Sequence, residues 1–325
     1  MYDLLDPELL PAAIGYQTID LMDVKAARVA DALSVSMVDA RAVPGLDPSL
    51  TDVHTLSVSG ENGDPDFRIR TYSPLRRTRE KLGALLFIHG GAFCVGDLET
   101  DHLRCLAYSQ FAELVVVNVE YRLAPEYPFP AAYTDCCQAF RWIVEHAASL
   151  RVDPTMIGIG GESAGAALAA ALVARFKVSG TRPACQLLLF PVLDHRMTTP
   201  SSNQMPDTPA WNSVQTASMW RLYLGDVHER GGVSASASPA LETDLTGQPP
   251  TLLTTAGLDP LRDEGLAFGL RLVAAGVPAE IHNYPRGFHV FDFAVPGAGI
   301  SQIALNEQLR FLETYIGKNV LGCRE

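Results

Sequence analysis

Short apolar segments alternate with helical segments along most of this chain, from about residue 53 onward. Several of the apolar segments, such as LVVVNV and QLLLF, are apolar at every position, which is typical of strands covered on both faces. This alternation predicts a mostly parallel sheet with helices on both faces. The predicted strands are 54–59, 67–72, 84–89, 114–119, 156–160, 185–190, 251–256 and 279–284.

Two parts of the chain depart from this rhythm. Residues 1–50 have a helical pattern, with Met22, Ala26, Val29, Leu33 and Met37 at helical spacing. Residues 195–232 begin with a Pro/Ser/Thr-rich interruption and continue with the helical segment VQTASMWRLYLG. Long insertions of this kind often form lids. We therefore predict a helical cap built from 1–50 and 195–232, and a catalytic core built from 51–194 and 233–325.

The first two strands flank the turn-rich stretch GENGDPD, which predicts an antiparallel hairpin.

Composition excludes several classes of protein. With 325 residues, 47% of them hydrophobic, the chain can bury a full core, and a formal charge of −12 makes nucleic acid an improbable partner. The first residues lack the basic and apolar regions of a secretory leader, and no apolar run reaches membrane-spanning length. Six cysteines without a CxxC pair suggest buried free thiols. These features predict a cytoplasmic protein without a structural metal.

The segment GIGGESAGAALAAAL contains the G-x-S-x-G pattern, centred on Ser163. A predicted strand precedes this serine and a predicted helix follows it, which is the setting of a nucleophile elbow. Glycines at 161 and 165 allow neighbouring segments to approach closely. Two other glycine-rich motifs do not fit this segment. It lacks the third glycine of a dinucleotide-binding fingerprint, and Gly165 is not followed by the Lys-Ser/Thr of a phosphate-binding loop. The remaining alternative is a purely structural turn of small residues.

A nucleophilic serine requires a base and an acid that orients it. Asp259 follows a buried strand and precedes a proline and a helix, which makes it the candidate acid. Asp263 and Glu264 lie within that helix, and we expect them to be solvated. His289 lies in the loop after the last strand and is the candidate base, whereas His282 lies within the strand, where a packing or surface role is expected.

The chain order of these candidates is Ser163, Asp259, His289, which is the order found in α/β-hydrolases. The segment His89-Gly90-Gly91-Ala92-Phe93 follows an apolar strand, where backbone N–H groups could bind an oxyanion together with the N–H of Ala164. The occurrence of all these elements in the expected order makes a purely structural role for Ser163 improbable.

Beyond these motifs, the chain resembles microbial carboxylesterases of the hormone-sensitive lipase family. The resemblance covers about residues 84–291, and its most specific part is YRLAPEYPFPAA together with the elbow. It implies an α/β-hydrolase fold with an eight-stranded, mostly parallel sheet, helices on both faces and a helical cap. The matching segments are HGGAF, VVVNVEYRLAPEYPFPAAYTDC, GGESAGAALAAAL, ASPALETDLTGQPPTLLTTAGLDPLRDEG and LVAAGVPAEIHNYPRGFHVF.

The resemblance also implies a role for each matching residue. Ser163 would be the nucleophile, His289 the general base and acid, and Asp259 the orienting carboxylate. The oxyanion would be bound by the N–H groups of Gly91, Ala92 and Ala164, in a loop supported by His89 and Gly90.

The sequence departs from the family pattern at three positions. Ala92 replaces the third glycine of the usual H-G-G-G loop, Glu162 replaces an aspartate, and Val290 follows the base where glycine is usual. The family resemblance implies that Ala92 brings a methyl group near the substrate and that Val290 stiffens the loop of the base.

These observations predict a serine carboxylesterase that acts on short- to medium-chain esters and requires no cofactor. A ligand-binding receptor on the same fold and a hydrolase of arylformamides, lactones or peptides remain alternatives. We predict a small-molecule ester as the partner, no membrane association, and, from the family, a homodimer. Candidate pocket residues, each equally compatible with the cap core, are Phe93, Trp211, Met219 and Trp220.

Overall fold

An eight-stranded sheet in the order β1-β2-β4-β3-β5-β6-β7-β8 organises the computed structural model. The structure describes residues 2–16, 19–36, 39–179, 181–227 and 231–318. The strands are β1 Thr51–Val58, β2 Phe67–Pro74, β3 Leu82–Ile88, β4 Val115–Glu120, β5 Val152–Glu162, β6 Gln186–Leu189, β7 Thr251–Leu258 and β8 Ala279–Phe288. All eight predicted strands are therefore present, with ends that differ by a few residues.

Helices connect most of these strands. In chain order they are α1 Leu10–Gly15, α2 Val24–Ser36, α3 His102–Ala112, α4 Ala131–Glu145, α5 Ala147–Leu150, α6 Ala164–Ser179, α7 Pro200–Gln204, α8 Ser213–Leu224, α9 Arg262–Ala274, α10 Phe291–Ala294 and α11 Gly299–Tyr315. Strands β3 to β8 pair in parallel, whereas β2 is antiparallel to both β1 and β4. The predicted hairpin and the mostly parallel sheet are confirmed.

Alternate residues of the central strands enter two separate hydrophobic clusters. Leu86 and Ile88 of β3 pack into the cluster that includes residues of α4, α6 and α9. Leu85 and Phe87 of the same strand pack into the cluster that includes residues of α3 and α11. Every residue of β3 is buried. This arrangement explains the continuous apolar runs in the sequence, because successive side chains point to opposite, equally covered faces.

The N-terminal segment and the insertion contact each other. Gln215 of α8 donates a hydrogen bond to the carbonyl oxygen of Ile19 at 2.9 Å. On α2, Ala27 is buried, whereas Val29 and Leu33 of the predicted apolar stripe are exposed to solvent. The helical spacing therefore predicted the helix correctly, although much of its apolar stripe does not face the core. Met37 of that stripe lies outside the described residues. The division into cap and core remains a prediction.

Five of the six cysteines lie within the described residues, and all five are buried free thiols, as predicted: Cys94, Cys105, Cys136, Cys137 and Cys185. Cys323 lies outside the described residues. Within the described part of the chain, no helix combines the length and the apolar character that crossing a membrane requires.

Candidate active site

The turn between β5 and α6 consists of Ser163 alone. Strand β5 ends at Glu162 and α6 begins at Ala164, so the chain reverses within a single residue. The backbone φ of Ser163 is 54°, in the left-handed region that L-residues adopt at a cost of about 1–2 kcal/mol. This is the strained strand–turn–helix geometry of a nucleophile elbow.

The two glycines that flank Ser163 make this tight turn sterically possible. A Cβ atom at Gly161 would lie 2.4 Å from the backbone of Gly165. A Cβ atom at Gly165 would lie 2.0 Å from the carbonyl oxygen of Ile88 and 2.5 Å from that of His89. The elbow therefore packs backbone against backbone, both within the turn and against the end of β3, as the sequence predicted for these two positions.

Three side chains from distant parts of the chain form a continuous hydrogen-bonded chain at the elbow. His289 Nε2 lies 2.9 Å from Ser163 Oγ, and His289 Nδ1 lies 2.7 Å from Asp259 Oδ2. All three residues are buried. The second carboxylate oxygen of Asp259 accepts the backbone N–H of Leu261 at 2.9 Å, which fixes the orientation of the carboxylate. The structure thus brings together the three residues proposed from the sequence.

The loop after β3 runs beside Ser163 and carries free backbone donors. Within the described part of the chain, the N–H groups of Gly91, Ala92 and Ala164 have no hydrogen-bond acceptor. Gly91 has a φ of 107°, and a Cβ atom there would lie 2.2 Å from the carbonyl oxygen of Val95. The loop therefore requires glycine at this position. Three N–H groups without an acceptor near a candidate nucleophile are suited to binding an oxyanion.

His89 anchors this loop from below the surface. Its ring stacks on Tyr121 with 4.2 Å between centroids, and its Nδ1 lies 2.6 Å from the carbonyl oxygen of Gly90. The Tyr121 hydroxyl donates to the carbonyl oxygen of His89 at 3.1 Å. Burial lowers the pKa of His89, which favours the neutral ring with its proton on Nδ1.

A cavity of about 180 Å³ opens onto Ser163 and His289. Trp211, one of the predicted pocket residues, lines this cavity, as do Gly91 and Ala92 of the loop. The other three predicted pocket residues do not line this cavity and are instead fully buried in the hydrophobic core: Phe93, Met219 and Trp220. Phe93, for example, stacks on Tyr223 with 3.7 Å between ring centroids. For these three residues the sequence had left a core position open as the alternative to a pocket contact.

The prediction that Asp263 and Glu264 are solvated was also wrong. Glu264 is buried and accepts the backbone N–H groups of Leu193 at 2.7 Å and Asp194 at 3.4 Å. Asp263 is half-buried and accepts the backbone N–H of Ser201 at 2.8 Å. Both carboxylates therefore anchor the chain that follows β6. Sequence position alone could not reveal this, because their partners lie 62 to 71 residues away in the chain.

His282 has the surface role that its position predicted. It lies within β8, half-exposed, and its Nδ1 is 2.9 Å from a carboxylate oxygen of Glu307 on α11. His282 therefore joins the edge strand β8 to α11 and does not contribute to the hydrogen-bonded chain at the elbow.

Two features of the site were not indicated by any motif. The first is a buried cluster of charged residues around Arg104, which lies directly behind the elbow and contacts Glu162. The second is Asp31 of α2, which lines the cavity and forms no hydrogen bond or ion pair within the described residues. Burial, followed by the nearby carboxylates Asp97 and Asp101, raises the pKa of Asp31 to about 6.

The elbow, the Ser–His–Asp chain and the free N–H groups on this sheet define the α/β-hydrolase class. A sequence family described as having the alpha/beta hydrolase fold matches residues 85–293. The chain belongs to this family, which confirms the resemblance to the hormone-sensitive lipase group and the predicted fold.

Named relatives and solved structures agree with this assignment. Over 229 residues the chain is 36% identical to "Esterase LipI" of Mycobacterium tuberculosis, covering 70% of this chain and 71% of the relative. It is 34% identical over 245 residues to "Carboxylesterase NlhH" of the same species, covering 74% and 76%. The structure named "Bacterial Heroin Esterase" superposes with a TM-score of 0.90 at 38% identity, covering 97% of this chain and 99% of the other. The chain is an enzyme of the carboxylic ester hydrolase class.

Proposed function

We propose that this enzyme hydrolyses short- to medium-chain carboxylic esters through an acyl-enzyme formed on Ser163. The observation that carries the proposal is the unbroken hydrogen-bonded chain from Asp259 through His289 to Ser163, which opens onto the cavity. Because all three side chains are buried and fixed by further contacts, their geometry exists before substrate binds.

In the first half of the reaction, Ser163 Oγ attacks the ester carbonyl carbon while His289 Nε2 takes the hydroxyl proton. Asp259 holds the imidazole with its Nδ1 proton directed at the carboxylate and stabilises the imidazolium that forms. The tetrahedral oxyanion binds the free N–H groups near Ser163, each worth about 3 kcal/mol of transition-state stabilisation. His289 then returns its proton to the leaving alcohol.

In the second half, water replaces the alcohol. His289 takes a proton from this water as its oxygen attacks the acyl carbon, and the same N–H groups bind the second oxyanion. Collapse of this intermediate returns the proton to Ser163 Oγ and releases the carboxylic acid. No step requires a metal ion or a cofactor.

Two observations support a preference for shorter acyl chains. The cavity of about 180 Å³ is smaller than the roughly 300–1,000 Å³ of most small-molecule pockets. Among the relatives is one named "Ethyl acetate hydrolase" from Pseudomonas putida, 31% identical over 250 residues, which cover 75% of this chain and 74% of the relative.

The proposal is tested with p-nitrophenyl esters from acetate to laurate. We expect rapid turnover of the short esters by the wild type and a loss of at least about 10³-fold in kcat for Ser163→Ala and His289→Ala. His282→Ala is the matched control, since it removes a histidine of β8 that contacts Glu307 rather than Ser163, and it should retain wild-type turnover. Near-normal hydrolysis by folded Ser163→Ala would refute the serine mechanism.

The same assay separates the two alternatives. Turnover of anilides or lactones in preference to every p-nitrophenyl ester would indicate that the enzyme hydrolyses another class of carbonyl compound. An absence of turnover toward all these compounds by folded wild-type protein would favour a ligand-binding receptor, and the covalent mechanism would then be abandoned.

A further inference from the structure

Arg104 on α3 is a fully buried guanidinium that contacts three carboxylates. Each of these carboxylates belongs to a different segment of the active site. The first is Asp101, whose Oδ1 accepts Arg104 Nε at 3.1 Å. The other oxygen of Asp101 accepts the backbone N–H of Gly90 at 3.3 Å. Arg104 is therefore linked through one side chain to the loop that carries the free N–H groups.

The second carboxylate belongs to the elbow. Glu162 immediately precedes Ser163 and accepts a hydrogen bond from Arg104 Nη2. Its other oxygen lies against the loop after β3, since a Cβ atom at Gly90 would be 3.2 Å from Glu162 Oε1. Burial, followed by the nearby Asp101, raises the pKa of Glu162, while Arg104 opposes that effect. Glu162 thus fills the space between elbow and loop, and Arg104 holds it there.

The third carboxylate belongs to the segment after the base. Asp292 lies three residues beyond His289, and its two oxygens accept Arg104 Nη1 at 2.8 Å and Arg104 Nη2 at 3.3 Å. Gln308 of α11 donates a further hydrogen bond to Asp292 at 2.9 Å. Although burial disfavours its charge, the contacts with Arg104 hold the pKa of Asp292 below its usual range.

The Phe293 ring packs against the Arg104 guanidinium and limits its movement. The central carbon of the guanidinium lies 4.0 Å from the ring centroid of Phe293, on the side of the cavity. A guanidinium has five N–H donors in a rigid planar fork, so it can serve three acceptors in fixed directions. A lysine ammonium at the same position has a different donor geometry and could not reach all three carboxylates at once.

We propose that Arg104 is a positioning residue. It sets the relative placement of the loop after β3, the Ser163 elbow and the segment that carries His289 and Asp292. This inference rests on the proposed function. Within the described residues Arg104 forms no hydrogen bond or ion pair with Ser163 or His289, and its ion pairs are with Asp101, Glu162 and Asp292. Because a displacement of about 1 Å between reacting groups costs about 10²-fold in rate, small shifts of these three segments would be visible in kcat.

The test compares Arg104→Lys and Arg104→Gln with Arg122→Gln. Arg122 is the matched control, because it also binds two carboxylates, Asp135 at 2.7 Å and Asp64 at 2.9 Å, but does not line the cavity. We expect both Arg104 variants to lower kcat by about 10- to 100-fold with KM changed less than about twofold. Arg122→Gln should lower the melting temperature and leave the kcat of the folded protein unchanged.

Two further readouts separate positioning from simple stability. The first is the rate at which a fluorophosphonate labels Ser163, and the second is the low-field NMR signal of the His289 Nδ1 proton. Positioning predicts slower labelling and a shifted signal in the Arg104 variants at temperatures where circular dichroism shows them folded. A purely structural role predicts a lower melting temperature with unchanged kcat, labelling rate and signal, and that result would overturn the proposal.

If the Arg104 variants do not fold, Asp101→Asn and Glu162→Gln are used instead, since each removes one of the carboxylates that pair with Arg104. We then expect Asp101→Asn to lower kcat and the labelling rate, and unchanged values in both variants would overturn the proposal. Failure of the proposed function has a different signature. In that case the wild type hydrolyses no ester, while the NMR signal still reports whether Arg104 positions His289.

Discussion

Ala92 and Val290 line the same cavity as Ser163 and His289, and each has a backbone φ of 56°. Both are positions where the sequence departs from a glycine in the family pattern. The left-handed conformation explains why glycine is usual there, because only glycine adopts it without steric cost. At both positions this chain therefore carries a backbone strain that glycine would avoid.

Restoring glycine in the loop after β3 should relieve part of this strain. We expect Ala92→Gly to stabilise the protein by about 0.5–1 kcal/mol, because the left-handed alanine costs more than the added freedom of glycine in the unfolded chain. The free energy of unfolding in urea is the measurement. Ala169→Gly, the same chemical change within α6, is the control and should destabilise by about 1 kcal/mol. Equal effects of both variants would contradict the strain argument.

The approach of the elbow to β3 should not tolerate a side chain at Gly165. A Cβ atom there would lie 2.0 Å from the carbonyl oxygen of Ile88. We expect Gly165→Ala to destabilise the protein by about 3 kcal/mol or more and to abolish turnover, since backbone must move to accommodate it. Gly297→Ala, on an exposed turn with its nearest contact at 3.6 Å, should change stability by less than about 0.5 kcal/mol. Thermal unfolding and ester hydrolysis check both expectations.

Glu264 should make stability depend on pH. Burial raises its pKa well above the ordinary value, so the folded state retains a proton that the unfolded state releases. This difference does not lower the free energy of unfolding at pH values below the unfolded-state pKa of about 4.3. As the pH rises above that value, it lowers the free energy of unfolding progressively. Glu264→Gln keeps an oxygen for the N–H groups of Leu193 and Asp194. We therefore expect it to raise the melting temperature more at pH 7 than at pH 4.5; an equal change at both values would contradict the argument.

Asp31 should favour cationic substrates once it is ionised. It lines the cavity, forms no ion pair within the described residues, and has a pKa of about 6. Of the other acids that line the cavity, Glu99 pairs with Arg70, and Asp101 and Glu162 both pair with Arg104. We expect the ratio of kcat/KM for acetylcholine to that for the neutral isostere 3,3-dimethylbutyl acetate to rise about 3- to 10-fold between pH 5 and pH 7.

The substrate ratio is used because any effect of pH on the chemical step is common to both esters and cancels. Asp31→Asn should remove the rise in the ratio while leaving turnover of the neutral ester within about twofold of wild type. A ratio that is independent of pH in the wild type, or that rises equally in Asp31→Asn, would show that Asp31 does not sense the substrate charge.

Those parts of the site that depend on local backbone geometry could be predicted from the sequence. Strand, serine and helix follow one another directly around Ser163, and the flanking glycines mark the tight turn. Asp259 and His289 could be identified because each follows a predicted strand, and the carboxyl ends of parallel strands meet at one edge of the sheet. Trp211 could not be distinguished from Met219 in this way, because both belong to the same insertion.

The sequence by itself determined the alternation of strands and helices, the elbow and the order of the three catalytic candidates. These features are encoded in neighbouring residues, whose periodicity and size set the local backbone. Only the tertiary structure decided that Arg104 joins Asp101, Glu162 and Asp292, and that Asp31 lines the cavity with no hydrogen-bond or ion-pair partner among the described residues. Such contacts join residues as many as 188 positions apart, and their existence depends on how whole helices pack against the sheet.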